Sequence, residues 1–137
     1  MITRGIGTLA AGLIIPIALA VPGCTPPNSA RGVVDRFIEA HYMAIDLKAA
    51  EPLCTSVALD KLHKEIALTT GQSIDASTRK PLIHYKMVAQ RGAEDHVTFL
   101  FVATIDVPDG GSFQKNWMIA ARKEGSDWKI SNFGEYD

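Results

Sequence analysis

Two turn sequences decide most of what this chain can fold into. Pro108-Asp109-Gly110-Gly111 and Glu124-Gly125-Ser126-Asp127 separate three runs of strand length, His96–Val107, Phe113–Arg122 and Trp128–Phe133. Gly and Asp tolerate the positive φ that tight hairpin turns require, so the successive strands pair antiparallel. Arg91-Gly92-Ala93-Glu94-Asp95 reads as a further turn, with Leu82–Gln90 as the strand before it. Upstream the apolar period lengthens from two to between three and four. Val33, Val34, Phe37, Ile38 and Ile45, with His41 or Tyr42, fall on one stripe of a helix from Ala30 to about Ile45, leaving Asp35, Arg36 and Glu39 pointing away. Ser29 or Asn28 caps its start, Asp46 caps a short turn through Ala50, and Pro52 disfavours helical geometry at Glu51. Ser56 opens another helix with Leu59, Leu62 and Ile66, and with them Val57 and Ala58, on its buried side. It closes near Thr69-Thr70, with Gly71 as the stop. Residues 72–81 are polar and read as a loop or a short edge strand. Helices first and consecutive hairpins after them make an α+β domain.

The start of the chain reads as an address. Arg4 precedes an uncharged run from Gly5 to Val21, ending in Pro22-Gly23 before Cys24, which are the parts of a secretory signal peptide. As a membrane span the run is short and diluted by Gly5, Gly7, Gly12 and Pro16. Val21-Pro22-Gly23-Cys24 resembles the bacterial lipobox, although Pro22 stands where Ala, Ser or Thr is usual. The resemblance implies cleavage before Cys24, lipid on its thiol and, with Thr25 rather than Asp following, an outer-membrane anchor facing the periplasm. A small-x-small site, Ala18-Leu19-Ala20, would instead release a soluble periplasmic or secreted protein beginning at Val21. The chain of 137 residues therefore divides into a signal peptide at 1–23, a lipidated Cys and Pro-rich spacer at 24–30, and one domain at 31–137, a size typical of single domains. A net charge of -1 gives no cationic surplus for nucleic acid. Two cysteines are too few for a disulfide scaffold or a four-thiolate zinc site, and Cys54 reads as a small core residue.

The strand His96–Val107 has two apolar faces. One set of alternate residues is Val97, Phe99, Phe101, Ala103 and Ile105. The other, His96, Thr98, Leu100, Val102, Thr104 and Asp106, is polar at its ends and apolar in the middle. A sheet with one wet face is polar throughout its second set. Met118 and Ala120 continue that second set on the neighbouring strand, opposite Trp117 and Ile119. Whichever set meets the helices, the other is covered by something: a second copy of the chain, residues 72–81 or the C-terminal tail.

A first helix reading Val33-Val34-Asp35-Arg36-Phe37-Ile38-Glu39-Ala40-His41-Tyr42, a break from Asp46 to Ala50, a short helical pair, long hairpin strands and a closing Asp127-Trp128-Lys129-Ile130 together resemble the nuclear transport factor 2-like superfamily (the cystatin-like cone fold), in particular its small bacterial envelope lipoproteins. The resemblance spans residues 31–133. It implies a strongly bent antiparallel sheet wrapped round the helices into a cone, often paired with its twin through the sheet's outer face. On this chain that dimer face is Leu100, Val102, Met118 and Ala120, with Thr98, Thr104, Gln114 and Arg122 as a polar rim. The superfamily includes ketosteroid isomerase, polyketide cyclases and dehydratases beside many proteins that bind small molecules or partners, so the fold leaves function open.

Isomerase-type members set a Tyr and two carboxylates in the cone and tune their ionisation by burial. Here the candidates for such acid–base work are Tyr42 and Asp106, with His84 or His96, which flank one hairpin and could face each other across it. The segment Leu53–Gln72 lacks the family's acidic loop, and its carboxylates Asp60 and Glu65 fall among helix charges that read as solvated. His41 reads as a hydrogen-bonded histidine at the core margin, and His63 as a surface residue. The four histidines have no short metal-ligand spacing, and neither metal nor cofactor is expected. Tyr42, Tyr85, Trp117 and Trp128 are the aromatics that would line a ligand wall. The sequence thus points to a non-enzymatic envelope lipoprotein that binds a small apolar ligand or an envelope protein. A small isomerase, cyclase or dehydratase is the alternative.

Overall fold

A computed structural model describes residues 25–72 and 79–137; residues 1–24, which hold the expected signal peptide and Cys24, and residues 73–78 lie outside them. Helix α1, Ala30–Ile38, begins at Ser29, whose Oγ accepts the Gly32 N–H at 3.0 Å, one of the donors a helix start leaves free. Its face of Val33, Val34, Phe37 and Ile38 is buried. The expected continuation to Ile45 is not α-helical. Over Glu39–Met43 the helix widens into a π turn, and the Ala44 N–H reaches back five residues to the Glu39 carbonyl at 2.8 Å. The extra residue per turn lets both His41 and Tyr42 lie beneath Phe37, at ring distances of 5.0 and 6.1 Å, where an α-helix would turn one of them outward.

Asp46 Oδ1 accepts the Ala49 N–H and caps α2, Leu47–Ala50. Pro52 does not push Glu51 out of helical geometry as expected. Glu51 has φ -55 and ψ -49, and Pro52 lies in the opening of a 3-10 turn, Glu51–Leu53, where its missing N–H costs nothing. Helix α3, Ser56–Thr69, buries Ala58 and Leu62. Val57, expected inside, is half exposed, because it stands about 100° round the helix from the line that Ala58 and Leu62 define.

Four strands follow, β1 (Leu82–Ala93), β2 (His96–Val107), β3 (Gly111–Glu124) and β4 (Asp127–Tyr136), paired antiparallel in chain order. Strand β1 runs through the stretch expected as a turn, and Glu94-Asp95 alone turn the chain. Gly92, at φ 132, makes this possible, because a Cβ there would overlap the His96 carbonyl. Irregularities between Met87 and Ala89 and between Ala120 and Ala121 break the ladders, and such bulges bend a sheet. Its inner face, with Phe99, Phe101, Ala103, Trp117, Ile119, Ala121, Ile130 and Phe133, closes on α1, α2 and α3 as one core.

Candidate functional site

The cone is filled by its own aromatic rings. Tyr42 stacks on Trp117 with centroids 4.0 Å apart and planes 12° from parallel. Tyr85 lies 6.1 Å from Trp117 and edge-on to Phe101 at 5.8 Å. Three of the four aromatics expected to line a ligand wall are therefore brought together, and they pack against each other. Trp128 is not among them. It pairs with Lys123 on the last hairpin and borders a shallow groove with Pro27, Arg36, Pro52, Leu53 and Lys129. Burial, reinforced by the negative charges of Glu65 and Glu135, pushes the Tyr42 hydroxyl far above its usual range and keeps it protonated.

Where the π turn meets α3, His41 Nε2 donates to Glu65 Oε2 across 2.6 Å. The imidazole is 9% exposed, wedged against Phe37 and Phe133, and its Nδ1 has no partner among the described residues. A proton on Nδ1 would bury an unpaired donor, so the favoured tautomer carries its proton on Nε2 and turns the Nδ1 lone pair to the core. Nearby, Lys61 Nζ donates to the Phe133 carbonyl at 2.6 Å and to Asn132 Oδ1 at 2.9 Å. His41, Glu65, Lys61 and Phe133, with Tyr42, Lys64, Gly134 and Glu135, line a depression of about 350 Å³. Glu65 is thus not the solvated helix charge expected of it. The legible signal was its place one turn after the buried Leu62, on the flank of the same stripe. Chemically the pair is spent: the basic nitrogen of His41 faces apolar side chains and the Glu65 carboxylate is already bonded to the ring. Its effect is to hold α3 against the π turn.

The acid–base candidates are not brought together. Asp106 pairs with Leu82 and Ser112 and belongs to the outer-face set of β2, whereas Tyr42 lies against the inner face. His84 pairs with Thr104, and His96 with Ala93. The two histidines are therefore eight residues apart along β2, roughly 26 Å at strand rise, and they do not face each other across the hairpin. Among the described residues no cluster of three ligating side chains suits a metal ion.

On the outer face Leu100 stands directly opposite Met118, with Thr98 opposite Ala120 and Val102 opposite Asn116. Ala89 and Lys86 of β1 extend the row beyond Leu100 and Val102. Leu100, Val102 and Met118 are half-buried, and Ala120 is buried outside the helix-facing core. The C-terminal tail does not cover this face, because residues up to Tyr136 form edge strand β4.

Cys54 is buried beside Ile130 as expected of a core residue. Burial foremost, with Glu65 adding and Lys129 opposing, pushes its thiol from 9.0 up to about 12. Between those values the unfolded chain sheds a proton that the native state keeps, so stability falls as pH rises through that window. Tyr42 acts in the same direction above its ordinary pKa of 10.0. Urea midpoints measured in steps from neutral pH upward should therefore descend above pH 9, and less steeply in Cys54→Ala. An unchanged slope in that variant would remove Cys54 as a cause.

No family model matches the chain, and no curated protein does. Solved structures do. One is a designed protein described as "Rd1NTF2_04 with long sheet", with a TM-score of 0.53 and 15% identity over 79% of this chain and 100% of that one. Another is a de novo designed protein with a curved β-sheet, with a TM-score of 0.50 and 12% identity over 80% of this chain and 100% of that one. At such identities the likeness shows fold alone. The fold is a nuclear transport factor 2-like α+β cone, three helices packed in a curved four-stranded antiparallel sheet.

Proposed function

We propose that this protein is a lipid-anchored component of a bacterial envelope, and that its cone serves as a docking module without catalytic chemistry of its own. The observation that carries the reading is the stack of Tyr42 on Trp117. It fills the volume a small apolar ligand or substrate would use, and it moves the binding surface to the outside of the sheet. Anchoring rests on Cys24 and the apolar run before it. No helix among the described residues is long and apolar enough to cross a membrane.

The occupant of the outer face is a second copy of the chain. The sheet of four strands, twelve residues long along β2, presents roughly 750 Å² at standard strand spacing, close to what one partner contributes to a standard interface. Leu100, Val102 and Met118 sit centrally with Thr98, Thr104 and Arg122 round them, an apolar middle and polar rim that suit a two-fold contact. Sedimentation of the domain from residue 25 onward should show a dimer, and Val102→Lys, which sets two like charges against each other across the axis, a folded monomer. A monomeric parent at high concentration sinks the proposal.

A further inference from the structure

The Pro-rich segment after Cys24 does not behave as a free tether. The Pro27 carbonyl accepts from Arg36 Nη2 at 3.0 Å, and the Pro26 carbonyl accepts from Ser29 N and Oγ at 3.2 and 2.6 Å. Gly32 allows this approach, since a Cβ on it would overlap both proline carbonyls. The two prolines are thus strapped along the first turn of α1. Thr25 alone separates the strapped Pro26 from Cys24, two steps of about 3.8 Å. That reach is about the depth of one headgroup layer.

The end of the domain that carries the strap also carries the groove of about 430 Å³ bordered by Pro27, Asn28 and Trp128. Trp128 and Leu53 are half-buried in its wall and Pro52 is exposed. Arg36 and Lys129 place their cationic heads there on backbone carbonyls, Lys129 Nζ on that of Pro52 at 2.7 Å. Among the described residues neither is paired with a carboxylate, and Asp127 is the acid in the wall.

We propose that this end is the membrane-facing surface of the protein, with Trp128 and Pro52 at the headgroup level and Arg36 and Lys129 against anionic lipid phosphates. Indole rings favour that depth, and cations close to an anionic leaflet are attracted within a Debye length. The inference rests on the lipoprotein reading above. Its added content is orientation: the short strap fixes which surface meets the bilayer and leaves the outer sheet face free to dock.

The test uses the mature lipidated protein in vesicles containing phosphatidylglycerol and a lipid brominated near its carbonyl end. The chain has two tryptophans, and Trp117, 1% exposed in the core, serves as the internal reference. Wild-type emission should be quenched severalfold more than that of Trp128→Phe, whose remaining signal is Trp117. Arg36→Glu with Lys129→Glu should lose most of the quenching while staying acylated, and Gly32→Ala, which breaks the strap, should lose it without loss of membrane attachment. Acylated protein whose Trp128 is no more quenched than Trp117 overturns the orientation alone. Absence of acyl chains on Cys24 by mass spectrometry overturns the lipoprotein reading, and the orientation with it.

Discussion

Trp117→Ala should lower stability by about 3–5 kcal/mol, a large share of the 5–15 kcal/mol that holds an ordinary domain together. The indole is 1% exposed, stacked on Tyr42, approached by Tyr85 and opposite Phe101 on the next strand. Removing it leaves a cavity where the two sides of the cone meet, far from any segment free to collapse into it. Its Nε1–H has no hydrogen-bond partner among the described residues, so deletion forfeits packing and no hydrogen bond. For the same reason Trp117→Phe should lose much less, since burying an unpaired donor costs about 1–3 kcal/mol in the parent. Urea unfolding of the three proteins checks both statements. The Ala variant should also bind small apolar compounds that the parent ignores, read as a rise in melting temperature. Losses below about 1 kcal/mol for Trp117→Ala would mean that the cone is not closed by this stack.

Cys24→Ser should abolish lipid labelling altogether and leave the precursor uncut after Gly23. In the anchoring proposal, which rests on the resemblance of Val21-Pro22-Gly23-Cys24 to a lipobox, the thiol is the acceptor, and a hydroxyl is no substitute for it. Cys54 cannot take over, because it is 7% exposed and its raised pKa keeps it protonated. Normal processing and membrane retention of the Ser variant would sink the anchoring proposal. Cleavage after Ala20 in both proteins would instead establish the soluble alternative.

Much of the fold was legible because the decisive signals are local. Asp109 takes φ 62 in the expected hairpin turn, Gly71 ends α3 at φ 87, and Ser29 and Asp46 cap the helices for which their short polar side chains suit them. The errors fall where a cross-strand or tertiary contact overrides such a signal. Arg91-Gly92-Ala93 has turn composition, yet the ladder with Val97 and Thr98 holds it in β1. The helix through His41 and Tyr42 is periodic enough to be α, yet Trp117 and Phe133, from strands far along the chain, each claim a ring, and the backbone widens to supply both.

By itself the sequence determined the element order, the consecutive hairpins, the apolar stripes of the helices and the existence of one apolar and one half-apolar set on β2. Each depends on neighbours within a few residues. Only the tertiary structure decided which set faces inward, because Phe99 and Leu100 are both apolar and alternation is blind to what lies across the sheet. It decided that Tyr42 fills the cone and Asp106 lies outside it, since strand register sets their separation. It also decided that Glu65, 24 residues from His41, completes that histidine's hydrogen bond, and that Pro26 and Pro27 lie strapped on α1. These pairings join residues with no shared periodicity. They follow from how helix and sheet close on one another, and a pattern read along the chain carries no term for that.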